Sequence, residues 1–136
     1  ASTKISLPLY KEDSYSKGTG LTIQNVGSVD ATNVVITFVG PTGTYITVAQ
    51  KIAAGSGLSL SDVRNKPSTF WNGTAMTVAA LGGCLYPSYC GTNGIFGVTV
   101  TADQPVVAIA NESTYPFTYP RIKQDKNNYE GFNLIP

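Results

Sequence analysis

The chain has 136 residues, 9 Lys and Arg against 8 Asp and Glu, a formal net charge of +1, and no histidine. Charged residues are 12% of the total, against about 25% in an ordinary soluble domain. That leaves no basic field for nucleic acid or an anionic membrane surface, and it excludes histidine triads, histidine bases and histidine metal sites.

The length predicts one domain, 1–136, with a core that stands without metal. The sequence opens Ala1-Ser2-Thr3 and its single methionine is Met76, as expected after cleavage behind a small residue. No apolar run approaches the roughly 20 residues of a membrane-spanning helix. The expectation is a mature, secreted domain, extracellular or at a cell surface. With 16 Thr, 11 Ser, 14 Gly and 8 Tyr, the composition favours pleated strands punctuated by turns.

In chain order, residues 4–10 alternate with Ile5, Leu7 and Leu9 on one face, which predicts a strand buried on one side. Pro8 lies opposite them and lacks an N–H, so one edge cannot pair fully. A polar loop, 11–20, contains the adjacent acids Glu12 and Asp13. On an extended backbone such neighbours point to opposite sides, so no acid–base pair is expected there. Residues 21–26 form a second strand. Residues 33–39 are apolar on both faces, which predicts a central strand, and Pro41-Thr42-Gly43 turns it into a hairpin ending near 49. Leu58 and Leu60 mark a short strand. Residues 61–75 are irregular, with one helical turn stopped by Pro67. Residues 82–94 form a loop with both cysteines. Strands at 95–102 and 106–110, with a turn at Asp103-Gln104-Pro105, read as a second hairpin. Tyr129 to Ile135 reads as a last strand. The sum is an all-β, antiparallel, immunoglobulin-like β-sandwich of about seven to nine short strands.

Two strings stand out, Ile23-Gln24-Asn25-Val26-Gly27-Ser28 and Pro105-Val106-Val107-Ala108-Ile109-Ala110-Asn111-Glu112. With Leu7-Pro8-Leu9-Tyr10 and Tyr129-Glu130-Gly131-Phe132, they resemble a β-sandwich module, often tandemly repeated, of exported bacterial surface proteins. The resemblance covers roughly residues 4–50 and 94–132 and leaves out 62–93. It implies a structural or adhesive role and transfers no catalytic residue.

Cys84 and Cys90 sit at a spacing that closes a small loop, and in an exported chain a disulfide is the expected state. Two thiols without histidine do not complete a zinc site. Trp71, Tyr86 and Tyr89 are loop aromatics suited to stacking on a sugar ring, although Trp71 with Phe70 also suits a plug at one end of the core. Asn72-Gly73-Thr74 and Asn111-Glu112-Ser113 are glycosylation sequons. Asp125, Asn127, Asn128 and Glu130 crowd together without the order of a calcium loop. No cofactor, metal or catalytic residue is expected, and no enzymatic activity.

The first strand suggests a function. Ile5, Leu7 and Leu9 are candidate subunit-interface knobs, inserted along the open sheet edge of a neighbouring copy. Repeated head to tail, such donation of residues 1–10 builds a filament, a pilus-like fibre or a surface layer. The alternative is a carbohydrate-binding or adhesive module. The expected partners are copies of the chain itself and surface glycans, with no nucleic acid and no membrane span.

Overall fold

The structure, a computed structural model, describes residues 1–114, 126–130 and 132–133. Its strands are β1 (Ser2–Lys11), β2 (Lys17–Asn25), β3 (Ala31–Gly40), β4 (Gly43–Ile46), β5 (Gln50–Ile52), β6 (Gly57–Leu60), β7 (Ile95–Thr114), β8 (Lys126–Glu130) and β9 (Phe132–Asn133). All pairings are antiparallel, and the strands join one curled hydrogen-bonded arrangement organised on β7.

The spine, β7, is 20 residues long. Its first half lies between β1, with Ile5 opposite Val100, and β3, with Ile36 opposite the same Val100. Its second half lies between β2, with Ile23 opposite Ala108, and β8, with Tyr129 opposite Ala110. The hairpin expected at 95–110 is therefore corrected: residues 103–105 do not reverse the chain. Instead they bulge. Lys4 pairs with Thr101 and Ser2 with Val106, so the segment 102–105 of β7 stands against the single residue Thr3 of β1. Pro105 lacks a ladder donor, which suits a bulge. The Asp103 carboxylate there accepts from the backbone N–H of Thr32 (3.0 Å) and of Asn33 (3.1 Å) and from Thr32 Oγ1 (2.9 Å). It thus satisfies the entry to β3 where the β7 backbone has swung away.

The two distinctive strings meet at this corner. Asn25 is fully buried; its Nδ2 donates to the carbonyls of Val29 (2.9 Å) and Ile52 (3.0 Å), and its Oδ1 accepts from Gly27 N (2.9 Å). The Val26 N–H reaches the Pro105 carbonyl at 3.0 Å. A Cβ on Gly27 would displace the Gln104 side-chain amide and crowd Asn25 Oδ1 and Pro105, so the absence of a side chain there eases the approach of the two segments.

The first strand also departs from simple alternation. Leu7 pairs with Val98 and Tyr10 with Phe96, three residues of β1 against two of β7. The slip at Pro8 and Leu9 puts Tyr10, rather than Leu9, beside Ile5 and Leu7 in the core; those three are each 1% exposed, whereas Leu9 is half-buried. Leu9 is thus corrected as the third inward knob. β1 is a member of its own sheet, between β7 and β9, where Ile5 also faces Asn133.

The antiparallel all-β expectation holds, and the pairing runs from β4 through β3, β7 and β1 to β9 as a curled sheet. The core side carries Leu21, Ile23, Val34, Ile36, Phe38, Tyr45, Val98 and Val100. Across it lies the irregular stretch between β6 and β7, which buries Val63, Trp71, Met76 and Leu81. Short 3-10 turns at Val63–Asn65 and Ser68–Phe70 lie in that stretch.

Candidate functional site

At one end of the sheet the β1–β2 turn, 12–16, lies against the disulfide loop, 84–91. The turn is tight because Asp13, Tyr15 and Ser16 all take positive φ, between 50° and 67°. Cys84 (φ 50°) and Tyr89 (φ 54°) do the same in the loop. Non-glycine residues in this region cost free energy that surrounding contacts must offset. Here they do so in pairs. Tyr15 N donates to Ser88 O (3.1 Å), Cys90 N to Asp13 O (3.0 Å), and Glu12 N to Gly94 O (2.7 Å). Gly94 has to be glycine, since a Cβ there would collide with the Glu12 carbonyl. Within the loop, Tyr89 N donates to Leu85 O (2.8 Å), the Tyr86–Pro87 peptide is cis, and Cys84 and Cys90 are joined as a disulfide.

This framework holds up an apolar tip. Leu85 is 75% exposed, Tyr86 67% and Tyr15 59%; Pro87 is exposed and Tyr89 half-buried. The Tyr86 and Tyr89 rings meet edge to face with centroids 5.8 Å apart. Large apolar side chains clustered in solvent are unusual on a monomer and mark a contact surface. Tyrosines suit such a surface because each adds broad area at the entropy cost of two torsions.

Beneath the tip lies a buried charge cluster. Glu12 is 0% exposed and accepts from Tyr10 Oη (3.0 Å) and Arg64 N (3.3 Å), with Arg64 Nε at 3.7 Å. Burial pushes its carboxyl up from 4.5 to about 7, against the lowering influence of Tyr10 and Arg64. Arg64 also donates from both terminal nitrogens to Asp13 Oδ2 at 3.3 Å. Burial raises the Asp13 carboxyl too, and its Oδ1 has no partner among the described residues. The third contact of Arg64 is with the disulfide: Nη1 lies 2.9 Å from Cys90 Sγ. Glu12 and Asp13 therefore converge on one guanidinium, contrary to the diverging side chains expected of a strand. The positive φ of Asp13 turns its carboxylate back toward the side Glu12 faces.

The remaining candidates fall elsewhere. Trp71 is corrected as a platform residue. It is 4% exposed and packs edge to face on Phe38, Tyr45 and Phe70, which is the plug reading. Its place beside Tyr86 and Tyr89 is taken by Tyr15 and Leu85. Sequence reasoning missed both, because Tyr15 lies in a polar loop and reaches the tip through backbone contacts with a distant segment, its own N–H to Ser88 O and the neighbouring Ser14–Tyr89 bridge. Asn72 is exposed before Gly73 (φ +93°), in an open turn. Asn111 is exposed but sits within β7, paired with Gly20 and Asn128. Asp125 and the side chains of Asn127, Asn128 and Glu130 lie outside the described residues.

A separate cleft of about 500 Å³ is lined by Gly18, Thr19, Gly20, Ser61, Asp62, Asn111, Glu112 and Ser113. Glu112 is tied to Lys11 at 2.7 Å on its border. Among the described residues no group of three His, Cys, Asp or Glu is placed to hold a metal. No helix of the described residues is long and apolar enough to cross a membrane.

No family model and no curated protein matches the chain. Among solved structures, the crystal structure of Thermotoga maritima 1070 is similar, with a TM-score of 0.60 at 15% identity, covering 97% of this chain and 94% of that one. At that identity the likeness shows a shared fold alone.

Proposed function

We propose that the chain is a non-enzymatic carbohydrate-binding or adhesive module of a secreted cell-surface protein, with the tip of Tyr15, Leu85, Tyr86 and Tyr89 as its contact surface. The carrying observation is that apolar side chains stand in solvent on a backbone fixed by a disulfide and by paired hydrogen bonds. A preformed platform loses little entropy on binding. Tyrosine rings offer a sugar an apolar face, and their hydroxyls, with Ser88 between them in the chain, offer a polar rim. The resemblance of the two strings to modules of exported bacterial surface proteins supports the same setting, as does a disulfide in a chain this small.

Titration of purified chain against a panel of immobilised and soluble glycans tests the reading. Tyr86→Ala is expected to weaken binding by about tenfold or more with an unchanged melting temperature, since Tyr86 supports nothing in the core. No glycan bound by the wild type, or undiminished binding by a Tyr15→Ala/Tyr86→Ala double variant, would overturn it.

A second reading is a structural subunit that polymerises into a filament, pilus-like fibre or surface layer through donation of residues 1–10. It is favoured by the position of β1, slotted between β7 and β9 with Ile5 and Leu7 in the core. The same slot would accept a neighbour's strand. Ser6 and Thr99 are cross-strand partners, so a Ser6→Cys/Thr99→Cys staple locks β1 into its own chain. Polymers in the unlocked protein that vanish on locking support strand donation; polymers that survive locking refute it.

A further inference from the structure

The two sulfurs of the disulfide are not equivalent. Cys90 is 4% exposed, and its Sγ receives Arg64 Nη1 at 2.9 Å, the shortest contact that guanidinium makes to any partner given above. Cys84 is partly exposed, and its Sγ sits 4.0 Å from the Val78 carbonyl oxygen. Thiol–disulfide exchange proceeds by attack of a thiolate on one sulfur and departure of the other as a thiolate. Which sulfur is attacked depends on access and on how well each bears negative charge as it leaves. Access favours attack at Cys84. Charge favours the same direction: a thiolate on Cys90 faces a guanidinium donor, whereas a thiolate on Cys84 faces a carbonyl oxygen.

We propose that Cys84 is a modification site for thiols, forming a mixed disulfide there while Cys90 is the leaving sulfur held by Arg64. The thiolate of a low-molecular-weight or protein thiol attacks Cys84 Sγ and forms a new S–S bond. The Cys84–Cys90 bond breaks, and its electron pair goes to Cys90 Sγ beside Arg64. Reversal, in which Cys90 attacks Cys84 and expels the incoming thiolate, restores the loop with no external oxidant. A second thiol attacking the adduct yields the external disulfide and a reduced Cys84. The groups facing Arg64 temper the effect. Asp13 and, above its titration, Glu12 share the guanidinium, with Asp62 adding negative charge nearby. The preference is therefore about tenfold, short of the full influence of an unshared cation.

The proposal is independent of what the tip binds. The test is brief exposure of the oxidised full chain to excess glutathione at pH 8, quenching with iodoacetamide, and fragment mapping by mass spectrometry. The expected product carries glutathione on Cys84 and the alkyl group on Cys90, about tenfold over the reverse. Arg64→Gln is expected to reduce that preference several-fold, and Arg64→Lys to restore part of it. Where either variant fails to fold, the wild-type product ratio decides alone. Glutathione mainly on Cys90, a near-equal mixture, or no trapped adduct on Cys84 would overturn the proposal.

Discussion

Replacing Glu12 by Gln tests the buried cluster most directly, because the amide keeps the shape of the protonated acid while removing its charge. Glu12 has its carboxyl raised from 4.5 to about 7 in the folded chain. A group raised on folding binds its proton more tightly in the native state, so its contribution favours the fold at low pH and is lost as pH rises from about 4.5 through 7. The size follows from the shift: about 3 kcal/mol between pH 4 and pH 8. For a chain of this length that corresponds to a melting temperature lower by roughly 10 °C at pH 8 than at pH 5, other groups being constant. The Gln variant should lack this slope, standing level with wild type or slightly below it at pH 5 and above it at pH 8. The assay is urea and thermal unfolding from pH 4 to 9, followed by fluorescence of the single tryptophan, which is buried. Parallel profiles for the two proteins, or wild-type stability rising from pH 5 to 8, would refute the assignment of Glu12 as a buried acid that is neutral on folding.

Two further outcomes follow from the packing. Trp71→Ala should cost about 3–5 kcal/mol by emptying the space among Phe38, Tyr45 and Phe70. Trp71→Phe should cost much less, since the Trp71 Nε1 has no partner among the described residues; circular dichroism melts compare the two, and equal losses would contradict the plug. Asp103, whose carboxyl is held below its ordinary value chiefly by the Asn33 N–H, acts in the opposite sense to Glu12. Its contribution is present above about pH 4 and lost as pH falls through the lowered value. Asp103→Asn should therefore flatten the acid limb of the stability profile; an acid limb identical to wild type would mean that the corner is held without it.

Much of the sheet was legible from period and punctuation. The doubly apolar run 33–39 is indeed central, and Gly40 opposite Gly43 closes the predicted hairpin. Leu58 and Leu60 do mark a strand. The errors share one cause, which is that local signals do not carry pairing partners. Asp-Gln-Pro reads as a turn in isolation, and it becomes a bulge only because β1, β2 and β3 all bond to the same continuous strand. Leu9 continues the alternation of Ile5 and Leu7 on paper, yet the slip at Pro8 substitutes Tyr10. The candidate site was half visible. Cys84, Cys90, Tyr86 and Tyr89 announce a stapled aromatic loop. The partnership of Tyr15, Glu12, Asp13 and Arg64 with that loop spans up to 77 positions (Asp13 to Cys90), and no periodicity encodes it.

The spine strand also sets an order of events in the life of the chain. β1, β2 and β3 are all made before residue 95, and each finds its main partner in residues 95–114. A ribosome that delivers the chain from its N-terminus thus releases β2 with β6, and β3 with β4 and β5, as separate pairs before the strand that joins them has been made. Contacts of such long sequence separation form slowly. The joined sheet is in effect withheld until residues 95–114 emerge, and then β1, β2 and β3 close around one strand together.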